Sequence, residues 1–154
     1  MDLEAIESIR QLKYRYFRSL DLKLWDEFAD TLTEDVDGAY GTKVYDKPLN
    51  FTGRDEVTKF MRENITETML TVHVANHPEI EVDGDTATAS WCFEDTVIVP
   101  EYRVKIRGAG YYRDSYRRDA DGKWRISKIG YTRIYEAMES LDDTPSWKLL
   151  HPAS

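Results

Sequence analysis

The spacing of apolar residues changes once along this chain, near residue 68, and this change limits the folds open to it. Before residue 68, apolar residues recur at steps of three and four, which is typical of helices with one buried face. After it they alternate with polar residues, as in strands with one buried face. Helices followed by a run of antiparallel strands predict an α+β domain, with the helices packed on one face of a curved sheet.

The predicted elements cover most of the chain. Residues 3–20 and 22–32 give two antiparallel helices, and a third short helix is expected around Val57 and Phe60. Residues 36–53 combine short apolar pieces with turn residues, which predicts a hairpin or an irregular loop. Strands are predicted near residues 68–76, 79–83, 85–99, 102–118 and 123–135.

The length of 154 residues suits one domain that is large enough to hold a core and a ligand pocket. We assign residues 1–140 to this domain and residues 141–154 to a C-terminal tail. The tail contains Trp147, Leu149 and Leu150, which need an apolar surface to cover them. We therefore expect the tail to cover the pocket mouth or an interface.

The charge and the apolar pattern exclude two classes of partner. With 21 basic against 29 acidic residues, the net charge of −8 repels a phosphate backbone, so we expect no nucleic-acid binding. No run approaches the roughly 20 apolar residues that cross a bilayer, so no membrane partner is expected. The amino terminus has an amphipathic helix pattern instead of a secretory signal, and the expected location is cytoplasmic.

The sequence contains no recognisable metal or nucleotide motif. The single cysteine, Cys92, rules out an internal disulfide and a cysteine-based metal site. His73, His77 and His151 do not have the spacing of helical metal ligands. There is no glycine-rich phosphate loop either. We therefore predict neither a metal nor a cofactor.

Asp95 is predicted to lie on the apolar face of its strand. Alternation along this strand turns Trp91, Phe93 and Asp95 inward together. A buried carboxylate must be paired, hydrogen-bonded or protonated, because an isolated buried charge is too costly. Two alternatives are a bulge that turns Asp95 to solvent and an ion pair with an arginine such as Arg103.

Three further polar residues have both a structural and a catalytic interpretation. His73 lies in mid-strand, where an imidazole is either a structural polar residue or a general base. Asp21 lies between the first two helices, where aspartate is a favoured N-cap. Tyr16 has helical spacing and is most simply a core aromatic residue whose hydroxyl needs a partner.

Four segments in order carry a resemblance to a known family. They are AIESIRQLKYRYFRSLDLKLWDEFADTLTEDV, FTGRDEVTKFM, TVHVANHPEIEVDGDTATA and GYYRDSYRRDADGKWRIS. Together, over about residues 3–130, they resemble the SnoaL-like branch of the nuclear transport factor 2-like superfamily. The resemblance implies a cone-shaped, strongly curved antiparallel sheet that amino-terminal helices close around a deep apolar pocket. The superfamily includes dehydratases, a dehydrochlorinase, isomerases, cyclases and noncatalytic proteins, so the fold alone leaves the function open.

The resemblance also implies roles for particular residues. The aspartate ending RSLD is Asp21 and the histidine opening HVAN is His73, which form a cofactor-free acid–base pair in the dehydratase and dehydrochlorinase members. The bile-acid dehydratase pattern adds a tyrosine, here Tyr16, and a strand carboxylate, which falls at Asp95 or at Glu94.

One family position departs from the pattern. Where the dehydrochlorinase has an arginine after GKW, this chain has Ile129, and Arg133 is a possible substitute. The residues expected to contact the substrate are Trp91, Phe93, Tyr112, Ile129 and Arg133.

The expected function is that of a cofactor-independent lyase of the dehydratase type. Its substrate would be a hydrophobic hydroxylated or carbonyl compound such as a steroid, terpene or polyketide. An isomerase or cyclase is an alternative, because these reactions also begin with proton abstraction. A noncatalytic domain that binds small molecules or acts as a scaffold is another. Since apolar residues occur on more than one strand face, a homodimer or a larger homo-oligomer is expected.

Overall fold

The computed structural model describes residues 1–152, in which three α-helices pack against a six-stranded sheet. The first helix, α1, is Leu3–Asp21, and the Asp2 side chain caps it by accepting a hydrogen bond of 3.0 Å from the Ala5 N–H. The other two helices are α2 (Trp25–Asp30) and α3 (Arg54–Asn64). Within residues 1–152, the helices are too short or too polar to cross a membrane.

The strands lie in the order β2-β1-β6-β5-β4-β3. Their bounds are β1 (Leu32–Tyr40), β2 (Leu49–Thr52), β3 (Leu70–Asp83), β4 (Thr86–Val99), β5 (Val104–Arg118) and β6 (Trp124–Ser140). A short 3₁₀ helix, Pro100–Tyr102, joins β4 to β5. The predicted α+β class is therefore confirmed, with the predicted helices preceding the long strands.

The sheet is mixed, although the prediction was of an antiparallel sheet. Neighbours are antiparallel except for β1 and β6, which run parallel, with Gly38 opposite Ile129. Hydrophobic alternation fixes which face of a strand is buried and does not reveal the direction of its neighbour. The sequence pattern therefore could not predict that β1 runs parallel to β6.

Two predicted boundaries differ from the structure. The strands predicted at 68–76 and 79–83 form one strand, because a bulge between Asn76 and Glu79 absorbs the His77-Pro78 step without ending the pairing with β4. The second helix is shorter than predicted, since β1 already begins at Leu32. Residues 36–53 include the predicted hairpin, formed by β1 and β2.

The core lies between α1 and the concave face of the sheet. Its largest fully buried side chains include Trp91, Tyr16, Tyr116, Phe28 and Phe93. Two charged residues are buried among them: the Lys13 ammonium lies 2.7 Å from Asp114 Oδ2, and both side chains are fully buried. The concave face therefore supplies both a packed core and, farther along the same strands, the cavity described below.

The predicted tail follows β6 without regular helix or strand in the part that the structure describes, residues 141–152. Leu141 is buried, and the Trp147 ring lies 5.3 Å from the Lys105 ammonium. None of residues 141–152 lines the cavity. Ala153 and Ser154, which complete the predicted tail, lie outside the described residues. The division into domain and tail stays a prediction.

Candidate active site

A cavity of about 750 Å³ opens between the concave face of the sheet and helices α1 and α3. Its apolar wall includes Leu20, Met61, Val97, Val99, Ile106 and Tyr112. This volume falls within the range of pockets that hold small organic ligands. A few polar side chains reach the wall from different strands, and they determine what chemistry the cavity can perform.

Asp21 ends α1 and contacts β3 through both carboxylate oxygens. Its Oδ1 lies 2.6 Å from His73 Nδ1 and accepts a hydrogen bond of 2.8 Å from the Thr71 hydroxyl. Its Oδ2 accepts a hydrogen bond of 2.9 Å from the backbone N–H of His73. Asp21 is therefore not the N-cap of α2: that position belongs to Leu24, which makes no side-chain cap.

The same contacts orient the His73 ring. The Phe17 ring stacks on it with a centroid distance of 5.3 Å and an interplanar angle of 11°. An ionised Asp21 only accepts hydrogen bonds, so it favours the tautomer with the hydrogen on Nδ1 and a lone pair on Nε2. His73 Nε2 lies 3.8 Å from Asp95 Oδ2, beyond hydrogen-bond distance. This leaves Nε2 at the cavity wall as the atom that can accept a proton.

Asp95 is buried on the cavity side of β4, and Arg133 binds it through two hydrogen bonds. Arg133 Nη1 donates to Oδ1 at 2.6 Å, and Nη2 donates to Oδ2 at 2.9 Å. The predicted pairing with an arginine is present, but Arg103 is not the partner, because it binds Asp142 on the surface. Glu94, the alternative to Asp95, is exposed on the opposite face.

Arg133 reaches Asp95 by crossing β5 at Gly108. Gly108 is the cross-strand neighbour of Asp95, and a Cβ placed there would lie 2.2 Å from Arg133 Nη1. Burial by itself lowers the pKa of Arg133, but hydrogen bonds and attraction from Asp95 raise it above its usual value. The guanidinium therefore stays charged in the wall of the cavity.

Tyr16 and Tyr40 form a hydroxyl pair at the cavity, with their oxygens 2.9 Å apart. Burial is the main cause that raises the pKa of Tyr16 well above its usual value, and Tyr40 and Tyr112 raise it further. Burial likewise raises the pKa of Tyr131, another wall residue, to about 12. These phenols are neutral at physiological pH and can donate hydrogen bonds to a ligand.

Of the five residues predicted to contact the substrate, Tyr112 and Arg133 line the cavity. Trp91, Phe93 and Ile129 are not among the residues that line it, and their contact with a substrate stays a prediction. All three are fully buried beside the cavity, and the Trp91 indole donates to the Tyr116 hydroxyl at 2.9 Å. Alternation identified their inward face, but that face supplies the core as well as the cavity wall.

Several cavity residues were not identified from the sequence. Tyr40 belonged to a segment predicted only as a hairpin or loop, although Val36, Gly38 and Tyr40 alternate like a buried strand face. Glu136 lies beyond the predicted end of the last strand, and no sequence pattern indicated that it would line the cavity. Within residues 1–152, no three histidine, cysteine, aspartate or glutamate side chains form a metal-binding arrangement.

Comparison with known proteins assigns the family. The family model described as a SnoaL-like domain matches residues 1–129. The chain belongs to the SnoaL-like family. The resemblance predicted from the four sequence segments is thereby confirmed, and the site just described is the cavity of a SnoaL-like domain.

Solved structures share the fold of this SnoaL-like protein at low sequence identity. A candidate scytalone dehydratase from Novosphingobium aromaticivorans is 20% identical, with 88% of each chain covered and a TM-score of 0.76. A hexachlorocyclohexane dehydrochlorinase from Novosphingobium barchaimii is 16% identical, covering 89% of this chain and 91% of its own, with a TM-score of 0.75. An NTF2-like protein of unknown function from Pseudomonas putida is 18% identical, covering 86% and 88%, with a TM-score of 0.68.

Proposed function

We propose that this protein is a cofactor-independent lyase of the dehydratase type. Its substrate would be a hydrophobic hydroxylated or carbonyl compound such as a steroid, terpene or polyketide. The observation that carries the proposal is the 2.6 Å contact between His73 Nδ1 and Asp21 Oδ1 at the wall of an apolar cavity. Such a pair is a usable general base near neutral pH.

In the proposed reaction, His73 Nε2 removes a proton from a substrate carbon. The electron pair of the broken C–H bond forms the new double bond, and the C–O bond breaks. The imidazolium then returns the proton to the departing oxygen, which leaves as water, so that no external acid or base is consumed. Asp21 stabilises the imidazolium while it exists, and Tyr16 donates a hydrogen bond to the departing or carbonyl oxygen.

Asp95 completes the proposed catalytic group. Its carboxylate lies 3.8 Å from His73 Nε2, on the side of the ring opposite Asp21. A negative charge at that distance favours the positive charge that the imidazole acquires when it takes a proton. Arg133 fixes the orientation of Asp95 through its two hydrogen bonds.

The names of two similar structures agree with an elimination reaction, since one is a candidate dehydratase and the other a dehydrochlorinase. An isomerase or a cyclase would use the same first proton transfer, and product analysis separates these reactions. A noncatalytic binding domain is disfavoured, because it gives no reason for Asp21 to hold the His73 ring in addition to the His73 backbone.

The test is a substrate screen that follows loss of water from hydroxylated steroids, terpenes and polyketides by mass spectrometry. For a compound that reacts, His73→Ala and Asp21→Asn should each lower kcat by roughly 10²–10⁴-fold. His77→Ala is the matched control, because His77 is exposed and lies outside the cavity. Turnover that persists in His73→Ala would overturn the proposal.

We further propose that the protein forms a homodimer or a larger homo-oligomer in the cytoplasm. The outer face of the sheet exposes apolar side chains on three strands: Val72, Val74, Tyr111 and Tyr135. An apolar patch of this kind is typical of a surface covered by another subunit. Light scattering coupled to size exclusion tests this: Val74→Lys should reduce the mass to that of a monomer, and a monomeric wild type would contradict it.

A further inference from the structure

The charged side chains that line the cavity are unequal in sign. Within residues 1–152, the lining contains one guanidinium, that of Arg133, against four carboxylates. Two of them, Asp95 and Glu136, are shielded from solvent, whereas Glu63, 3.9 Å from Lys59, and Glu101 are exposed. Asp21, directly behind His73, adds a fifth negative charge nearby. A ligand that enters this cavity therefore meets an excess of negative charge.

The single guanidinium is already engaged by carboxylates. Both Nη atoms of Arg133 donate to Asp95, and Nη2 also lies 3.1 Å from Glu136 Oε2. Its Nε is buried and makes no hydrogen bond to any residue in 1–152. Two carboxylates thus already contact Arg133 before any ligand binds, and the group formed by Arg133, Asp95 and Glu136 has more negative than positive charge.

Glu136 is the carboxylate that makes this group negative, and its position is fixed. Its Oε2 accepts a hydrogen bond of 2.8 Å from the Thr42 hydroxyl, and its Oε1 accepts one of 2.8 Å from the Lys43 backbone N–H. The side chain is only 12% exposed. These contacts hold the carboxylate against Arg133, so the negative charge cannot move away to admit an anion.

We propose that the cavity selects uncharged ligands and excludes carboxylates, phosphates and sulfates, with Glu136 as a residue that determines this specificity. An anion that leaves water for an apolar cavity needs a cationic partner, and here the available cation is already neutralised. This inference rests on the proposed function in one respect, since it takes the cavity to be the place where the substrate binds.

The test compares two probes of nearly equal shape, methyl 2-naphthoate and 2-naphthoate, whose dissociation constants are measured by calorimetry at pH 8. We expect the wild type to bind the ester at least about tenfold more tightly than the carboxylate, given the like charges in the wall. Glu136→Gln keeps the shape of the side chain and removes its charge. It should reduce the preference to about threefold or less by strengthening carboxylate binding.

Glu139→Gln is the matched control. Glu139 lies on the same strand and binds Lys105 at 2.9 Å, outside the cavity. This variant should keep the wild-type ratio. The inference would be overturned if the wild type bound the carboxylate as tightly as the ester or more tightly. It would also be overturned if both variants changed the ratio of the two dissociation constants equally, or if neither probe bound.

Binding is measured without turnover, so the two proposals fail separately. If no lyase substrate is ever found, the proposed reaction is wrong while the ratio of the two dissociation constants still stands. If the wild type prefers the carboxylate, the inferred specificity is wrong whatever reaction the protein catalyses.

Discussion

Asp21 and His73 are 52 positions apart in the chain, and Asp21 holds both the backbone and the ring of His73. One carboxylate oxygen accepts from the His73 N–H at 2.9 Å, and the other lies 2.6 Å from Nδ1. The first contact ties the end of α1 to β3, and the second orients the imidazole. The residue proposed to assist catalysis thus also fixes the helix against the strand.

Asp21→Asn should change the tautomer of His73. An amide in place of the carboxylate can donate to Nδ1, and the ring hydrogen then moves to Nε2, where it blocks proton abstraction. Long-range ¹H–¹⁵N spectra distinguish the two tautomers directly. We expect Nδ1–H in the wild type, Nε2–H in a large share of the variant, and a fall in kcat of roughly 10²–10⁴-fold.

The control for this experiment is Asp26→Asn, an exposed aspartate in the first turn of α2 that does not contact the imidazole. It should leave the His73 spectrum unchanged. A wild-type spectrum that already shows the hydrogen on Nε2 would contradict the assignment of Nε2 as the base.

Gly108→Ala should disturb the Asp95–Arg133 ion pair, although neither of these two residues is substituted. The added methyl carbon would lie 2.2 Å from Arg133 Nη1 and 2.9 Å from the Tyr135 carbonyl oxygen. Since contacts this short force neighbours to move, the free energy of unfolding should fall by about 1–3 kcal/mol. The guanidinium should leave Asp95, and kcat on an identified substrate should fall. Urea unfolding and a crystal structure of the variant measure these effects.

Ala109→Ser is the neighbouring control for Gly108→Ala. Ala109 lies on the outer face of the sheet, opposite Glu94 and Tyr135. The hydroxyl should change the free energy of unfolding by no more than about 0.5 kcal/mol. If Gly108→Ala kept both hydrogen bonds between Arg133 and Asp95, the close approach at Gly108 would not be what positions the arginine.

The sequence predicted the order of elements and the inward face of β4, because both follow from the spacing of apolar residues. It left open how far each inward residue lies from the cavity. Trp91, Phe93 and Asp95 share one face, yet the aromatic pair is in the core and the carboxylate is at the cavity. That difference depends on where α1 covers the sheet, which no local pattern encodes.

The partners of charged residues were the least predictable feature. Asp95 pairs with Arg133 across an intervening strand at Gly108, and Lys13 pairs with Asp114 at a separation of 101 positions. The pattern could indicate that Asp95 needs a partner and could not choose among the arginines. Lys13 lies beside the apolar stripe of α1, where a lysine ordinarily extends to solvent.

Lys13→Met should be strongly destabilising, because it leaves Asp114 buried without its cation. Burial raises the pKa of Asp114, while Lys13 and the Tyr116 hydroxyl act against that rise. Removing one member of a buried pair costs about 3–5 kcal/mol. The double variant Lys13→Met/Asp114→Asn should recover part of this loss, since no full charge then remains buried. Urea unfolding of the single and double variants measures both effects.

The control pair is Lys59 and Glu63 of α3, whose side chains are exposed and lie 3.9 Å apart. Lys59→Met should cost less than about 1 kcal/mol, because exposed ion pairs contribute little. If Lys13→Met lowered the free energy of unfolding no more than Lys59→Met does, the buried Asp114 would not depend on Lys13. It would then pair with another group or become protonated without destabilising the protein.

The ionised carboxylate of Asp121 stabilises the folded protein, and this stabilisation should disappear in acid. Hydrogen bonds from Arg125 and then from the Lys123 backbone lower the pKa of Asp121 from 3.8 to about 2. Below pH 3.8 the unfolded chain therefore takes up the proton first, so this contribution is present above that pH and is lost as the pH falls towards 2.

Asp121→Asn removes this contribution, and the difference in Tm between wild type and variant should be constant from pH 7 to about pH 5 and vanish near pH 2. Thermal unfolding followed by circular dichroism measures this difference, and acid effects shared by both proteins cancel. Asp143→Asn removes a carboxylate at an exposed position and is the matched control for the loss of one negative charge. A difference that instead grew as the pH fell would mean that Arg125 does not stabilise the ionised carboxylate.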